Sequence, residues 1–176
     1  MNPFTVIVSF ALILFLLALF KPQTGRIVFG VFFLLLALFR PQAGRIVFGV
    51  FFLLMAWGVN FPMMLYDPSL YPQAGANSFI PLYRWIFTEV LARYPVPFIL
   101  MLIGFETAVG VLTLSQGRWV KLGLGLGALF CLGIAWIGPE GVWMPAVALA
   151  PLVLLRKDFP VSVLALLRAR LSAPAR

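Results

Sequence analysis

Residues 97–115 read PFILMLIGFETAVGVLTLS, an apolar run holding one charged side chain, Glu106. At about 1.5 Å of rise per helical residue, a run of this length nearly matches the hydrocarbon core of a bilayer, about 30 Å thick. Outward from it, further apolar segments stand between polar breaks at 4–20, 27–39, 46–65, 119–137 and 142–155, and the run itself extends over 97–116. Segments 27–39 and 142–155 are short, so a crossing there would need snorkelling Lys or Arg at the ends, local thinning of the bilayer, or a re-entrant path.

Composition points the same way. The 176 residues are 63% hydrophobic and 10% charged, where soluble domains run near about half and about a quarter. The expected fold class is therefore all-α, a polytopic transmembrane helical bundle in a multi-pass plasma (inner) membrane protein. The net charge of +8 comes from 13 Lys and Arg against 5 Asp and Glu. These cations flank apolar runs and form no stripe on a polar domain, so nucleic acid is not an expected partner. Cys131 is the single cysteine and there is no histidine, which excludes an internal disulfide, a CxxC redox pair and a His-ligated metal or haem within this chain. No metal or other cofactor is expected. Residues 1–20 lack a basic start and a small-x-small cleavage site, so this segment is expected to stay attached.

Residues 16–34 (LLALFKPQTGRIVFGVFFL) and 35–53 (LLALFRPQAGRIVFGVFFL) are a tandem duplication that differs only at Lys21/Arg40 and Thr24/Ala43. Each unit supplies one short helix and one PQxGR turn, so one inserted span would reverse the side on which everything before it lies. If all six segments cross, one side collects Arg40, Arg45, Arg118, Lys121, Arg156, Lys157, Arg168, Arg170 and Arg176, and the other keeps Lys21, Arg26, Arg84 and Arg93. Positive charge prefers the cytoplasmic side, which places both termini there. If 27–39 does not cross, Lys21 and Arg26 also fall inside and the N-terminus lies outside, which charge alone slightly favours; six crossings is the preferred reading, because a helix at lipid depth needs cover.

The connection 66–96 opens with YDPSLYPQAGANS, a turn-rich stretch, and continues as PLYRWIFTEVLARY (81–94). That second part reads as an interfacial helix on the non-cytoplasmic side, with Arg84, Thr88, Glu89, Ala92 and Arg93 on one face. The tail 160–176 is basic and amphipathic and suits an anionic lipid surface.

Candidate functional residues are Glu106, Arg84, Glu89 and Asn60; no catalytic set is expected. An acid at the depth of Glu106 needs a partner or a proton. It either fixes the bundle through a hydrogen bond or handles a proton, cation or ligand, and Asn60, Thr107, Thr113 and Ser115 would join it if their faces meet. Glu89 and Arg93 suit an i,i+4 pair, and Arg84 is a solvated face or an anchor for an anionic group. Glu140 is a turn acid. Gly123, Gly127, Cys131 and Ala135 recur every fourth residue, a row of small side chains that lets a neighbouring helix approach. The GLGLG run within it lacks the Lys-Ser/Thr of a phosphate loop.

The stretches RIVFGVFFLLMAWGVN (45–60), PLYRWIFTEV (81–90), FETAVGVLTLSQGRWVKLGL (105–124) and LLRKDF (154–159) resemble the DoxX-like group of small membrane proteins. The resemblance covers 45–159. It implies a four-helix transmembrane core with Glu106 at the group's intramembrane acidic position and Arg118 at its basic turn, to which 1–44 adds one or two N-terminal helices. Some relatives are named for association with a terminal quinol oxidase. The expected function is a non-catalytic accessory or assembly subunit of a membrane complex, with the lipid bilayer and other membrane subunits or copies of itself as partners. The alternative is a small transporter or channel subunit centred on Glu106. A lipid-directed enzyme would need a nucleophile–base pair that the chain does not offer.

Overall fold

Pro22 and Pro41 occupy the same place in the two duplicated units, and in the computed structural model each opens a helix. Proline suits this position because its fixed φ is already helical and its missing N–H would be unbonded there anyway. The PQxGR segments are thus first helical turns and not the turns expected, and the short segment 27–39 lengthens to α1, Pro22–Phe39. Only Arg40 separates it from α2, which runs from Pro41 to Tyr66. The structure describes residues 22–138 and 141–172, together with Ser9 and Ile13. The expected segment 4–20, apart from those two residues, and the turn acid Glu140 lie outside the described residues.

Six further helices follow: α3 (Leu70–Ala76), α4 (Pro81–Trp85, continued by a π-helical stretch Ile86–Leu91), α5 (Pro95–Leu114), α6 (Arg118–Ile134), α7 (Met144–Leu154) and α8 (Val163–Leu171). Among the described residues the fold is all-helical, with no strand. Among the described residues two helices, α2 and α5, are long and apolar enough to cross a membrane. The expected interfacial helix 81–94 ends its helical path at Leu91, where a turn leads into α5.

Five helices close into a ring in the order α1, α2, α5, α6, α7 and back to α1. Neighbours alternate in direction except α1 and α7. These run parallel, since Gly30 meets Ala146 and Arg26 lies over Trp143 near both N-terminal ends. An odd number of staves requires one such parallel pair. The duplicated α1 is therefore a full member of the ring, standing between α2 and α7.

The duplication also explains the filling. Phe29 and Phe33 on α1 correspond to Phe48 and Phe52 on α2, and all four are buried. Each pair sits with ring centroids 5.0 Å apart at an interplanar angle of 57°, and Phe33 meets Phe48 edge-on at 5.8 Å. The glycines of the two copies do parallel work. A Cβ on Gly30 would lie 2.9 Å from the Ala146 Cβ of α7, and one on Gly49 would lie 3.2 Å from the Gly110 carbonyl of α5. One motif thus sets two close helix crossings.

Outside the ring the surface stays apolar. Val31 and Leu38 of α1, Trp57 of α2, Met101 (71% exposed) and Val111 of α5, Leu129 (68%) of α6 and Leu149 of α7 all point away from the core. Only 33% of the most apolar window of α5 is buried inside the protein.

The two ends of the ring differ in charge. One carries the α3–α4 connection with Asp67, Arg84, Glu89 and Arg93. The other gathers the α1–α2 corner, the α5–α6 corner and the segment after α7, and it exposes Arg40, Arg118, Lys121, Arg156, Lys157 and Arg168. Its one acid among the described residues, Asp158, pairs with Lys121 at 3.0 Å.

Candidate functional site

Ile99, Ile103 and Glu106 recur at helical spacing on α5 and face α2, where Ala56 and Asn60 lie on a π-helical stretch, Met55–Asn60. Such a stretch inserts backbone into the helical register and re-aims the side chains after it, a feature often found at functional sites. Here it delivers Asn60, 5% exposed, to Glu106, 2% exposed. The Asn60 Nδ2 donates to Glu106 Oε2 at 2.6 Å. On its other side the Asn60 Oδ1 accepts from the Tyr71 hydroxyl of α3, which folds back over this end of the ring. The result is a chain of three side chains from half-buried Tyr71 to the buried carboxyl.

Among the described residues no Lys or Arg pairs with Glu106. The titratable groups near it are Tyr71 and the buried thiol of Cys131 on α6. Burial first, and then the charge of Glu106, push the Tyr71 phenol above its ordinary range, so it serves as a neutral hydroxyl. Next along α5, the Trp57 Nε1 donates to Thr107 Oγ1 at 3.0 Å, and that hydroxyl donates to the Ile103 carbonyl at 2.7 Å. Thr107 is thus satisfied on the outer face and does not join the buried chain.

Of the four candidates, Glu106 and Asn60 meet. Arg84 and Glu89 lie apart from them: the Arg84 guanidinium donates to the Ser78 carbonyl at 3.1 Å, and Glu89 pairs with Arg93 at 3.7 Å on an exposed face. Ser115 bonds the Leu112 carbonyl, and the buried Thr113 hydroxyl has no hydrogen-bond partner among the described residues. In the small-residue row of α6, a Cβ on Gly123 would lie 2.7 Å from the Thr113 backbone N, and one on Gly127 would lie 2.7 Å from the Phe48 ring. Cys131 is buried and Ala135 half-buried in the same row. No group of three acids, cysteines or histidines is placed to hold a metal among the described residues.

Two contributors escape sequence reasoning. Tyr71 sits in a turn-rich stretch whose path back over α2 has no local signal. Arg45, counted above only among the cations collected on one side, is wholly buried. It donates to the Ser115 carbonyl at 3.1 Å and to the Val161 carbonyl at 3.0 Å, and lies over the Phe159 ring at 4.7 Å. The reason is its place in the first turn of α2, beside the C-terminal carbonyls of α5, which a cation satisfies well. A Gly117 N–H to Phe159 carbonyl bond of 2.8 Å closes the same corner, and its φ of 60° suits glycine.

Compared with family models, curated proteins and solved structures, the chain matches none. The DoxX-like resemblance rests on the residues quoted for it.

Proposed function

We propose that this protein is a polytopic membrane protein whose five-helix ring is a non-catalytic accessory subunit packing beside other membrane proteins. One observation carries this reading. The inside of the ring is filled by phenylalanines while the outward faces of all five helices present large apolar side chains. In water, apolar surface on that scale would drive association; in hydrocarbon it is the ordinary solvent-facing surface. A centre packed with Phe29, Phe33, Phe48 and Phe52 leaves the single chain little room for a pathway of its own. The end that exposes Arg40, Arg118, Arg156, Lys157 and Arg168 lies in the cytoplasm on this reading, by the preference of Lys and Arg for that side. The shorter helices reach across by local thinning of the bilayer and snorkelling at that basic end.

The DoxX-like kinship is part of the proposal, supported by Glu106 within FETAVGVLTL, by Arg118 at the α5–α6 corner and by the LLRKDF segment after α7. The link to quinone-dependent electron transfer comes from that kinship alone. Purification in mild detergent tests the accessory role. The expected result is a stable assembly containing a redox subunit. A monomer or a homo-oligomer free of other subunits would refute it.

A second reading, a small proton or cation transporter subunit, is favoured by one specific observation: Glu106 is buried with only neutral hydrogen-bond partners. Glu106→Gln separates the two. Transport lost with assembly intact supports the second reading, and assembly lost with no transport defect counts against it.

A further inference from the structure

A carboxylate buried without a cation is costly, and a neutral carboxyl that keeps the amide N–H on its carbonyl oxygen must place its own O–H on the other oxygen, for which no hydrogen bond is made among the described residues. Asn60 can answer both states, because an amide offers NH2 on one side and oxygen on the other, and a half-turn of the side chain exchanges them. As observed, its NH2 faces Glu106 and its oxygen accepts from Tyr71, which suits an ionised Glu106. After the half-turn, a protonated Glu106 donates to Oδ1 and Nδ2 donates to the Tyr71 oxygen. The Tyr71 hydrogen is then displaced from Asn60 and turns to the half-exposed side of the residue.

We propose that Glu106, Asn60 and Tyr71 form a single-proton binding site in which rotation of the Asn60 amide couples the charge of Glu106 to the direction of the Tyr71 hydroxyl. The step balances simply: one proton from water converts the carboxylate to the acid, and the three hydrogen-bonding groups exchange donor and acceptor roles. A metal cation fits this geometry poorly. Even with the amide turned, the three side chains offer one carboxylate, one amide oxygen and one hydroxyl, fewer oxygen ligands than such cations take. Among the described residues Asn60 of α2 meets Glu106 by a hydrogen bond and Tyr71 of α3 through Asn60, and the buried thiol of Cys131 on α6 is near enough to feel its charge. Among the described residues no charged side chain pairs with it, so the titration belongs to Glu106 itself. Tyr71 reports the outcome at the α3–α4 end of the ring.

The test is infrared difference spectroscopy on the full chain in lipid nanodiscs, stepped between about pH 4 and about pH 10. A protonated-carboxyl carbonyl band should appear on acidification and be lost in Glu106→Gln. A tyrosine C–O band should move with it, be lost in Tyr71→Phe, and cease to follow the carboxyl in Asn60→Leu. A wild-type carboxyl band fixed across the whole range, or a tyrosine band that stays still while the carboxyl titrates, would overturn the proposal. Tyr71→Phe removes one hydroxyl at the rim, so it keeps the test available if Glu106→Gln fails to fold. The proposal rests on the membrane reading for its apolar cover. A silent carboxyl in protein still recovered with the bilayer would refute the switch alone, whereas protein recovered in water would refute the membrane reading.

Discussion

Replacing Arg45 by Met keeps an apolar stem of similar length and removes the guanidinium. The Ser115 and Val161 carbonyls each lose a charged donor, worth about 1 to 3 kcal/mol apiece in a buried setting. Stacking over Phe159 adds about 1 to 2 kcal/mol. The penalty of holding a guanidinium out of water, including an Nε without a partner, is returned and offsets part of this. The expected net loss is about 2 to 4 kcal/mol. Arg26 occupies the same place in the first copy of the duplication but is half-exposed and lies over Trp143 at 5.8 Å. Arg26→Met should therefore cost less than Arg45→Met. The assay is reversible unfolding in mixed micelles, with the two variants measured against the parent under identical detergent. Equal losses for the two arginines would refute the assignment of Arg45 as the clamp that joins the α5–α6 corner to the segment after α7.

Gly123→Val should destabilise by about 2 kcal/mol or more, since its Cβ would sit 2.7 Å from backbone that cannot yield, while Gly58→Ala and Gly104→Ala, where a Cβ meets nothing within 4 Å, should not lower the same unfolding midpoint and should raise stability by up to about 1 kcal/mol through helix propensity. Gly75→Ala drives a Cβ to within 1.9 Å of the Phe87 ring, so it should loosen α3 from α4 in hydrogen exchange, and adding Phe87→Ala should restore protection. Asp158→Asn breaks an exposed pair with Lys121 and should shift stability by less than about 0.5 kcal/mol in the same unfolding assay. A cysteine at Lys157 should react with impermeant maleimide only from the cytoplasmic side, and one at Trp85 only from the opposite side; the reverse pattern would invert the proposed orientation.

The helices are legible in the sequence because apolar runs between Pro, Gly and charged breaks leave few other ways to satisfy the backbone. The run around Glu106 becomes α5 within two residues at either end. The duplicated PQxGR segments are misread as turns because Pro and Gly together suggest a reversal, whereas the position of Pro at the first helical residue decides otherwise. That mistake hides the true length of α1 and the burial of Arg45. The pairing of Asn60 with Glu106 depends on which faces of α2 and α5 meet, which the π-helical stretch and the Gly49–Gly110 crossing set together. Neither is visible in one sequence. Tyr71 is further out of reach, since it arrives through α3, whose turn-like composition carries no directional pattern.

Spin labels at Met101→Cys and Leu129→Cys, on a Cys131→Ala background reconstituted in lipid, test most directly whether hydrocarbon surrounds the ring. The account predicts that dissolved oxygen reaches both labels readily and a water-soluble nickel complex does not, with the reverse at a label on Lys157. Nickel access at Met101 and Leu129 equal to that at Lys157 would contradict it.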